Sequence, residues 1–255
     1  MTVNPGSSAP TLEGLVWRRA SERFHSRNAW LDSWHTFSFA GHHDPRWMGF
    51  GPLRVINDDT IAAGQGFGMH PHRDMDIVTV MVAGQLNHRD SMGHSAVLRA
   101  GEVQRMGAGT GIVHSEINQG QGPCRLLQIW IEPSRMGLQP DYEQKAFAIA
   151  DHWTLLLDPQ GNDGAMAIHR PVQLWRARPG IGTRLPIPLQ SAPRLWLQLI
   201  AGQAELHLDA AAGPLTLNQG DGVGLTPEIH AALAAGKASV SSSAAGTDLL
   251  LFALA

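Results

Sequence analysis

The chain has 255 residues, of which 43% are hydrophobic and 16% are charged, and its formal net charge is −3 with histidine neutral. This composition excludes a disordered chain, and the length allows one large domain or two smaller ones. The chain contains no run of five basic residues, which excludes sequence-independent binding of nucleic acid. The single cysteine, Cys124, excludes an intrachain disulfide framework and a zinc site built from several cysteines.

Short strands separated by turns dominate the predicted elements, as the 28 glycines and 16 prolines suggest. Residues 1–16 are polar and are expected to form a flexible N-terminal arm. Residues 136–150 contain Gly137 and Pro140 and are expected to form a connector. The sequence has neither the apolar run of about 18 residues of a membrane-spanning helix nor a secretory signal, so we expect a cytoplasmic location and no membrane partner. The segments that predict strands, by alternation of polar and apolar residues or by apolar runs, are 34–39, 76–82, 125–131, 195–200, 204–208 and 249–252.

The two halves of the chain resemble each other. Residues 82–86 read VAGQL and residues 200–204 read IAGQA. In the first half, Gly84 is followed 17 residues later by a turn of Gly101 and an acidic residue. In the second half, Gly202 is followed 18 residues later by a turn of Gly220 and an acidic residue. Two such similarities can arise by chance in β proteins, but the matched order and spacing favour an internal duplication. A duplicated β unit predicts an all-β protein with two stacked barrels or sandwiches.

Two short motifs suggest a metal site. His70 and His72 form a His-x-His pair, and His114 and Glu116 form a His-x-Glu pair. Residues two apart on a strand point to the same face, so each pair presents its side chains together. A single pair of this kind is more often structural or exposed, but two pairs offer three imidazoles and one carboxylate. Such a donor set suits a divalent metal and leaves coordination positions open.

The sequences around these four residues resemble the pirin family. The matching segments are 30–39, 70–73, 88–93, 111–116 and 142–145, which read WLDSWHTFSF, HPHR, HRDSMG, GIVHSE and YEQK. The positions that also match the two cupin motifs are Gly64, His70, His72 and Asp76, and then Gly101, His114 and Asn118. The resemblance is strong from about residue 17 to residue 147 and thinner afterwards.

Pirins are bicupins, so the resemblance implies two stacked double-stranded β-helix (jelly-roll) barrels. The N-terminal cupin, with the metal, is expected at 17–135, and the C-terminal cupin, without metal, at 151–255. The resemblance also implies one divalent metal, usually Fe(II), with Mn, Ni, Co, Cu or Zn as alternatives.

The resemblance implies that His70, His72, His114 and Glu116 are the metal ligands. Cupins usually have a ligand glutamate at the position of Asp76, whereas pirins take their carboxylate from the residue that matches Glu116. Asp76 is one methylene shorter than glutamate and has the same strand parity as the first two histidines. We therefore expect Asp76 to support a ligand imidazole by hydrogen bonding.

Five other residues have no assigned role. His42 and His43 are best interpreted as part of a solvated loop, and His88 as a polar residue of a hairpin. His35 lies either near the mouth of the barrel or in the core with its hydrogen bonds satisfied. Cys124 is expected to be a small buried hydrophobic residue.

The resemblance implies a metal-dependent dioxygenase, a quercetin 2,3-dioxygenase, which cleaves flavonols with O2 and releases carbon monoxide. The expected substrate is a small aromatic enol, and Glu116 is expected to act as the catalytic base that takes its hydroxyl proton. Phe67, Met69, Met75 and Trp130 are candidates for an apolar wall. The alternative is a non-enzymatic pirin, whose metal is structural or senses redox state and changes the surface that a protein partner binds.

Overall fold

The computed structural model describes residues 14–189, 191–208, 213–233 and 238–255, except for the side chains of 230–232. The described chain is built almost entirely of antiparallel strands, which form two sheets of seven strands and two sheets of four. None of the described helices is long and apolar enough to cross a membrane.

Twelve strands precede the second half of the chain. They are β1 (Leu15–Arg18), β2 (Phe24–Arg27), β3 (Leu31–His35), β4 (Leu53–Ile61), β5 (Gly66–His72), β6 (Asp76–Ala83), β7 (Gln85–Asp90), β8 (Ser95–Arg99), β9 (Glu102–Gly107), β10 (Ile112–Ile117), β11 (Cys124–Ile131) and β12 (Asp141–Ala146). The strands predicted at 76–82 and 125–131 are confirmed as β6 and β11. The strand predicted at 34–39 is displaced, because β3 ends at His35 and the chain then leaves the sheet.

The second half contains ten strands and one short helix. They are β13 (Thr154–Asp158), β14 (Met166–Ala167), β15 (Val172–Ala177), β16 (Arg184–Pro186), β17 (Arg194–Ala201), β18 (Gln203–Leu208), β19 (Leu215–Asn218), β20 (Gly222–Leu225), α1 (Pro227–Ala232), β21 (Ala238–Ser242) and β22 (Asp248–Leu254). The strands predicted at 195–200, 204–208 and 249–252 are confirmed as β17, β18 and β22. Single turns of 3-10 helix lie at Ala20–Glu22, Pro45–Trp47 and Asn162–Gly164.

The sheets form two barrels of the same topology. In the first barrel, the sheet β12-β9-β6-β11-β4-β3-β2 is combined with the sheet β5-β10-β7-β8. In the second barrel, β1-β20-β17-β22-β15-β13-β14 is combined with β16-β21-β18-β19. Strands β4 to β11 therefore take the same places in the first barrel as β15 to β22 take in the second. The all-β fold and the internal duplication are confirmed.

The repeated sequence segments form the same turn in both barrels. Gly84 follows β6 with a φ of 72°, and Gly202 follows β17 with a φ of 77°. A Cβ atom at Gly84 would lie 2.8 Å from the Cβ of Cys124, and one at Gly202 would lie 2.7 Å from the Cα of Thr247. Both positions therefore need glycine for its left-handed backbone and for the close approach of a neighbouring strand.

The two seven-stranded sheets pack against each other and form the largest hydrophobic core. On β11, Leu127, Ile129 and Ile131 face the second barrel, where they join a cluster that includes Trp196 and Phe252. The alternate residues of β11 point into the first barrel. Because both faces of this strand are covered, its sequence is almost continuously apolar rather than alternating.

Two predicted boundaries differ from the structure. Residues 15 and 16, assigned to the flexible arm, lie in β1, which pairs with β20 of the second barrel. Leu15 and Trp17 pack against the core of that barrel, which explains why the chain is ordered there. The remainder of the predicted arm, 1–13, lies outside the described residues. The predicted connector contains β12, a half-buried polar strand that pairs with β9 and lacks an apolar run that would predict it.

Candidate metal centre

Strands β5 and β10 bring three histidines together inside the first barrel. The two strands are antiparallel neighbours, and His70 lies directly opposite His114. His72 is two residues from His70 and points the same way. One nitrogen from each of the three imidazoles lies within 4.8 Å of the others. The three side chains can therefore bind one ion.

A β-bulge orients the first histidine. The register between β5 and β10 shifts between His114 and Glu116, so that Phe67 lies opposite Glu116. In this bent segment, Nδ1 of His70 donates a hydrogen bond of 2.8 Å to the carbonyl oxygen of Gly68. That bond leaves Nε2 as the nitrogen with a free lone pair for a metal.

His114 supplies the test of whether the site suits a metal. Its side chain is fully buried, and neither ring nitrogen has a hydrogen-bond partner in the described part of the chain. Burial lowers the pKa of His114 to about 2 and that of His72 to about 4, so both imidazoles are neutral near pH 7. Neutral imidazole is the form that binds metal, and coordination would satisfy an otherwise unpaired buried nitrogen. The residues present therefore fit a divalent metal.

Glu116 lies beside the histidines in a different setting. Its buried carboxylate accepts a hydrogen bond of 2.8 Å from Nε2 of Gln128 and a longer one of 3.4 Å from Oγ1 of Thr79. Burial raises the pKa of Glu116, and the bond from Gln128 opposes that shift. The ligand atoms that lie within 4.8 Å of one another belong to the three histidines, and Glu116 is not part of that group. Its role as fourth ligand stays a prediction.

Five polar side chains lie side by side on neighbouring strands of the first barrel, and we call them the polar row. In strand order they are His35 on β3, Asn57 on β4, Gln128 on β11, Thr79 on β6 and Gln104 on β9. All five are buried. Sequence reasoning missed four of them, although Thr79 and Gln128 are single polar residues at inward positions of the mostly apolar strands β6 and β11.

A cavity of about 300 Å³ opens from the metal centre. Its lining residues are Ser26, Leu31, Ser33, His35, Phe39, Ala40, Asn57, Asp59, Phe67, His70, His72, Glu116, Gln128 and Trp130. Of the four residues proposed for an apolar wall, Phe67 and Trp130 line this cavity. Met69 is 59% exposed on the outer face of its sheet, and Met75 packs with Trp130 in a neighbouring cluster. The volume is at the lower end of the range for small-molecule sites.

The structure places Asp76 away from the ligand imidazoles. Its carboxylate accepts hydrogen bonds from Nδ1 of His169 at 2.9 Å and from the backbone nitrogen of the same residue at 3.3 Å. Asp76 shares its face of β6 with Val78, which packs in the core between the barrels. Strand parity does not carry over from β5 to β6, because the turn between them includes Asp74 with a φ of 50°. The predicted support of a ligand imidazole by Asp76 is therefore not what the structure shows.

Two of the residues left without a role, His88 and His42, are more constrained than predicted. His88 lies in the predicted hairpin, which β7 forms with β8, but it is buried there and its Nε2 lies 3.0 Å from Asp90. His42 is half-buried and lies 2.9 Å from the hydroxyl of Ser26, whereas His43 is exposed. Cys124 is buried as expected, and burial raises its pKa to about 11.

Comparison with known proteins agrees with this architecture. The Pirin family model matches residues 17–131, and the model for the quercetinase C-terminal cupin domain matches residues 155–252. Quercetin 2,3-dioxygenase of Escherichia coli K12 is 45% identical over 194 residues, which are 76% of this chain and 84% of the relative.

Solved structures give the same result. The bacterial pirin YhhW from Escherichia coli, in complex with nickel(II), is 39% identical with a TM-score of 0.84, and the match covers 94% of this chain and 98% of that one. Quercetin 2,3-dioxygenase from Acinetobacter baumannii is 19% identical with a TM-score of 0.70, covering 94% of this chain and 85% of that one, and it shows the shared fold. The chain has two barrels, a histidine cluster in the first barrel and matches to these relatives along both barrels. It therefore belongs to the pirin family.

Proposed function

We propose that this protein is a metal-dependent dioxygenase that cleaves flavonols such as quercetin with O2 and releases carbon monoxide. The observation that carries the proposal is the cluster of three imidazoles beside a cavity, with the carboxylate of Glu116 lining the same cavity. The Escherichia coli relative named quercetin 2,3-dioxygenase supports the substrate class. We also propose that the protein acts in the cytoplasm on a small-molecule substrate.

We propose Fe(II) as the metal, with Mn, Ni, Co, Cu and Zn as alternatives, held by His70, His72, His114 and Glu116. The nickel(II) complex of a bacterial pirin supports a divalent ion in this family. A bound divalent metal supplies Lewis acidity toward a deprotonated hydroxyl oxygen and open coordination positions. Imidazole and carboxylate donors accept several divalent ions, so the donor set alone does not select iron.

The residues of the chain supply proton transfer and orientation. Glu116 is proposed to accept the hydroxyl proton of the flavonol at its carboxylate, and its raised pKa suits a base that must take up a proton. Gln128 holds that carboxylate by a hydrogen bond from the sheet opposite, and the hydroxyl of Thr79 in turn donates to Oε1 of Gln128 at 2.9 Å. Phe67 and Trp130 line the cavity and exclude water from the reacting group.

The experiment follows loss of the flavonol absorbance band and uptake of O2 together, with protein reconstituted with one metal at a time. We expect equal consumption of flavonol and O2 by the wild-type protein and loss of both in His72→Ala. Equal rates in His72→Ala would assign the activity to free metal. Absence of O2 uptake with several flavonols and all six metals would contradict the proposal and favour the non-enzymatic alternative.

A further inference from the structure

Two neighbouring aspartates on β4 face opposite sides of the sheet. Asp58 faces the second barrel, where Arg125 binds it through Nε at 2.8 Å and Nη2 at 2.9 Å. Asp59 faces the cavity, where the hydroxyl of Ser33 donates a short hydrogen bond to Oδ1. In the parts of the chain that the structure describes, no arginine, lysine or histidine pairs with Asp59. A buried carboxyl group without a cation is unfavourable for stability, so its presence needs another explanation.

A hydrogen-bonded network fixes the side chains around Asp59. Nδ1 of His35 lies 2.8 Å from Oδ1 of Asn57 and 3.4 Å from the hydroxyl of Ser33. Nε2 of the same imidazole lies 2.9 Å from the hydroxyl of Ser26. All of these residues line the cavity. They form a preorganised polar wall whose carboxyl group has only one hydrogen bond from the described protein side chains.

Aromatic rings connect this wall to the metal centre. The ring centroids of His72 and Trp130 are 5.0 Å apart, those of Trp130 and Phe39 are 5.4 Å apart, and those of Phe39 and His35 are 5.3 Å apart. The cavity therefore combines metal-ligating histidines, the polar wall around Asp59 and aromatic rings that run from His72 to His35. This lining suits a flat aromatic molecule that carries more than one oxygen substituent.

We propose that Ser33 and Asp59 form a second polar anchor, which hydrogen-bonds a hydroxyl group of the substrate other than the one at the metal and so selects polyhydroxylated flavonols. The anchor rests on the proposed function and names the feature of the substrate that the cavity recognises. A carboxyl group can serve in either protonation state, because the ionised form accepts a bond from a hydroxyl and the neutral form can also donate one. Burial raises the pKa of Asp59 to about 7, which is consistent with both forms being present at neutral pH.

The test compares two probes that share the metal-binding enol. Quercetin carries hydroxyl groups on both outer ring systems, and 3-hydroxyflavone has none there. Their Kd values are measured without oxygen, by absorbance, on nickel-loaded wild type, Asp59→Leu, Asp59→Asn and Ser33→Ala. Asp163→Asn, an exposed carboxyl-to-amide change in the second half of the chain, is the matched control.

We expect Asp59→Leu to raise the Kd of quercetin about tenfold, since a buried hydroxyl loses its partner, and to change that of 3-hydroxyflavone less than twofold. Ser33→Ala acts in the same direction. Asp59→Asn keeps a hydrogen-bonding group, so its Kd for quercetin is expected to stay within about threefold of the wild-type value. Asp59→Leu is also expected to keep its metal and to match or exceed the wild-type Tm, because it removes a buried carboxyl group.

Equal weakening of both probes in Asp59→Leu and Ser33→Ala would overturn the anchor, because the residues would then only support the fold. Unchanged binding of quercetin in both variants would also overturn it. If Asp59→Leu does not fold, Ser33→Ala decides between the same outcomes. Failure of the wild-type protein to bind either probe would contradict the proposed function as well as the anchor, whereas binding without discrimination would contradict the anchor alone.

Discussion

The two barrels share a topology but have opposite interiors. The polar row of the first barrel is His35, Asn57, Gln128, Thr79 and Gln104. The side chains at the corresponding register positions of the second barrel are Leu155, Trp175, Leu251, Leu197 and Val223. Leu197, Val223 and Leu251 belong to its hydrophobic core and Trp175 packs against that core. Leu155 is half-buried. The same pattern of strands therefore accommodates a row of buried polar side chains in one barrel and a mainly apolar row in the described part of the other.

The strands that carry the metal ligands show the same contrast. In the second barrel, β16 and β21 occupy the places of β5 and β10, and they bury Leu185 and Val240 in the core. The described residues of this barrel contain no group of three close metal-ligating side chains. His207 instead contacts the hydroxyl of Ser241 at 2.8 Å. The second barrel packs on the first through their shared core, and that it binds no metal stays a prediction.

The largest expected effect is loss of metal from the first barrel. We expect wild-type protein to bind one divalent metal per chain, and His114→Ala to bind none, because the three imidazoles form a single site. His207→Ala, in the second barrel, is expected to keep one metal. Elemental analysis after purification and dialysis measures this. Two metals per wild-type chain, or equal loss in both variants, would remove the contrast between the barrels.

The two carboxylates near the centre provide the next test. Glu116→Gln is expected to weaken metal binding or turnover by roughly 10- to 100-fold or more, because the amide is a poor ligand and no base. Asp76→Asn changes a group that bonds to His169 and is expected to have a much smaller effect on activity. Metal titration and O2 uptake measure both variants. The reverse ranking would indicate that Asp76 has the role assigned here to Glu116.

Exchanging one pair of corresponding residues tests the two interiors directly. Leu251→Gln places an amide without a partner in the apolar core and is expected to destabilise the protein by about 3 kcal/mol. Gln128→Leu is expected to change stability by less than about 1.5 kcal/mol and to reduce activity strongly, because Glu116 loses a donor. Urea denaturation of the metal-free variants gives the stability. Similar losses of unfolding free energy in Leu251→Gln and Gln128→Leu would contradict the proposed difference between the two interiors.

The last prediction concerns the pH dependence of stability. The pKa of Asp59 is raised to about 7 by burial, above its usual value of 3.8, so the folded state holds this proton more tightly than the unfolded state. Its contribution to stability is full below about pH 4 and is lost as the pH rises through about 7, a change of at most a few kcal/mol. In the metal-free protein, the free energy of unfolding of Asp59→Leu should decline less over this pH range than that of wild type. Parallel curves of unfolding free energy against pH would contradict the assignment.

The sequence predicts the duplication and the three histidines because both are local patterns. Glycine turns repeat at Gly84 and Gly202, and histidines two apart on a strand share a face. The position of Asp76 could not be predicted in the same way, since a turn with a left-handed residue separates it from the histidines. The strand β12 is polar and forms only because β9 offers it an unpaired edge.

The remaining parts of the site depend on contacts between distant strands. Asn57 and Gln128 become neighbours only through the pairing of β4 with β11. Gln128 gives a signal in the sequence because it interrupts an apolar run, whereas Asn57 begins a run of four polar residues and gives none. Which of these residues bonds to Glu116, and which lines the wall near Asp59, follows from the register between strands and not from the spacing along the chain.

The central claim is that one metal site, in the first barrel, is built by the three histidines. Anomalous-difference diffraction from crystals of the metal-loaded protein tests it most directly. We predict one peak per chain, within bonding distance of His70, His72 and His114, with an oxygen of Glu116 as the expected fourth donor. A peak elsewhere, or a second peak of equal height inside the second barrel, would contradict the account.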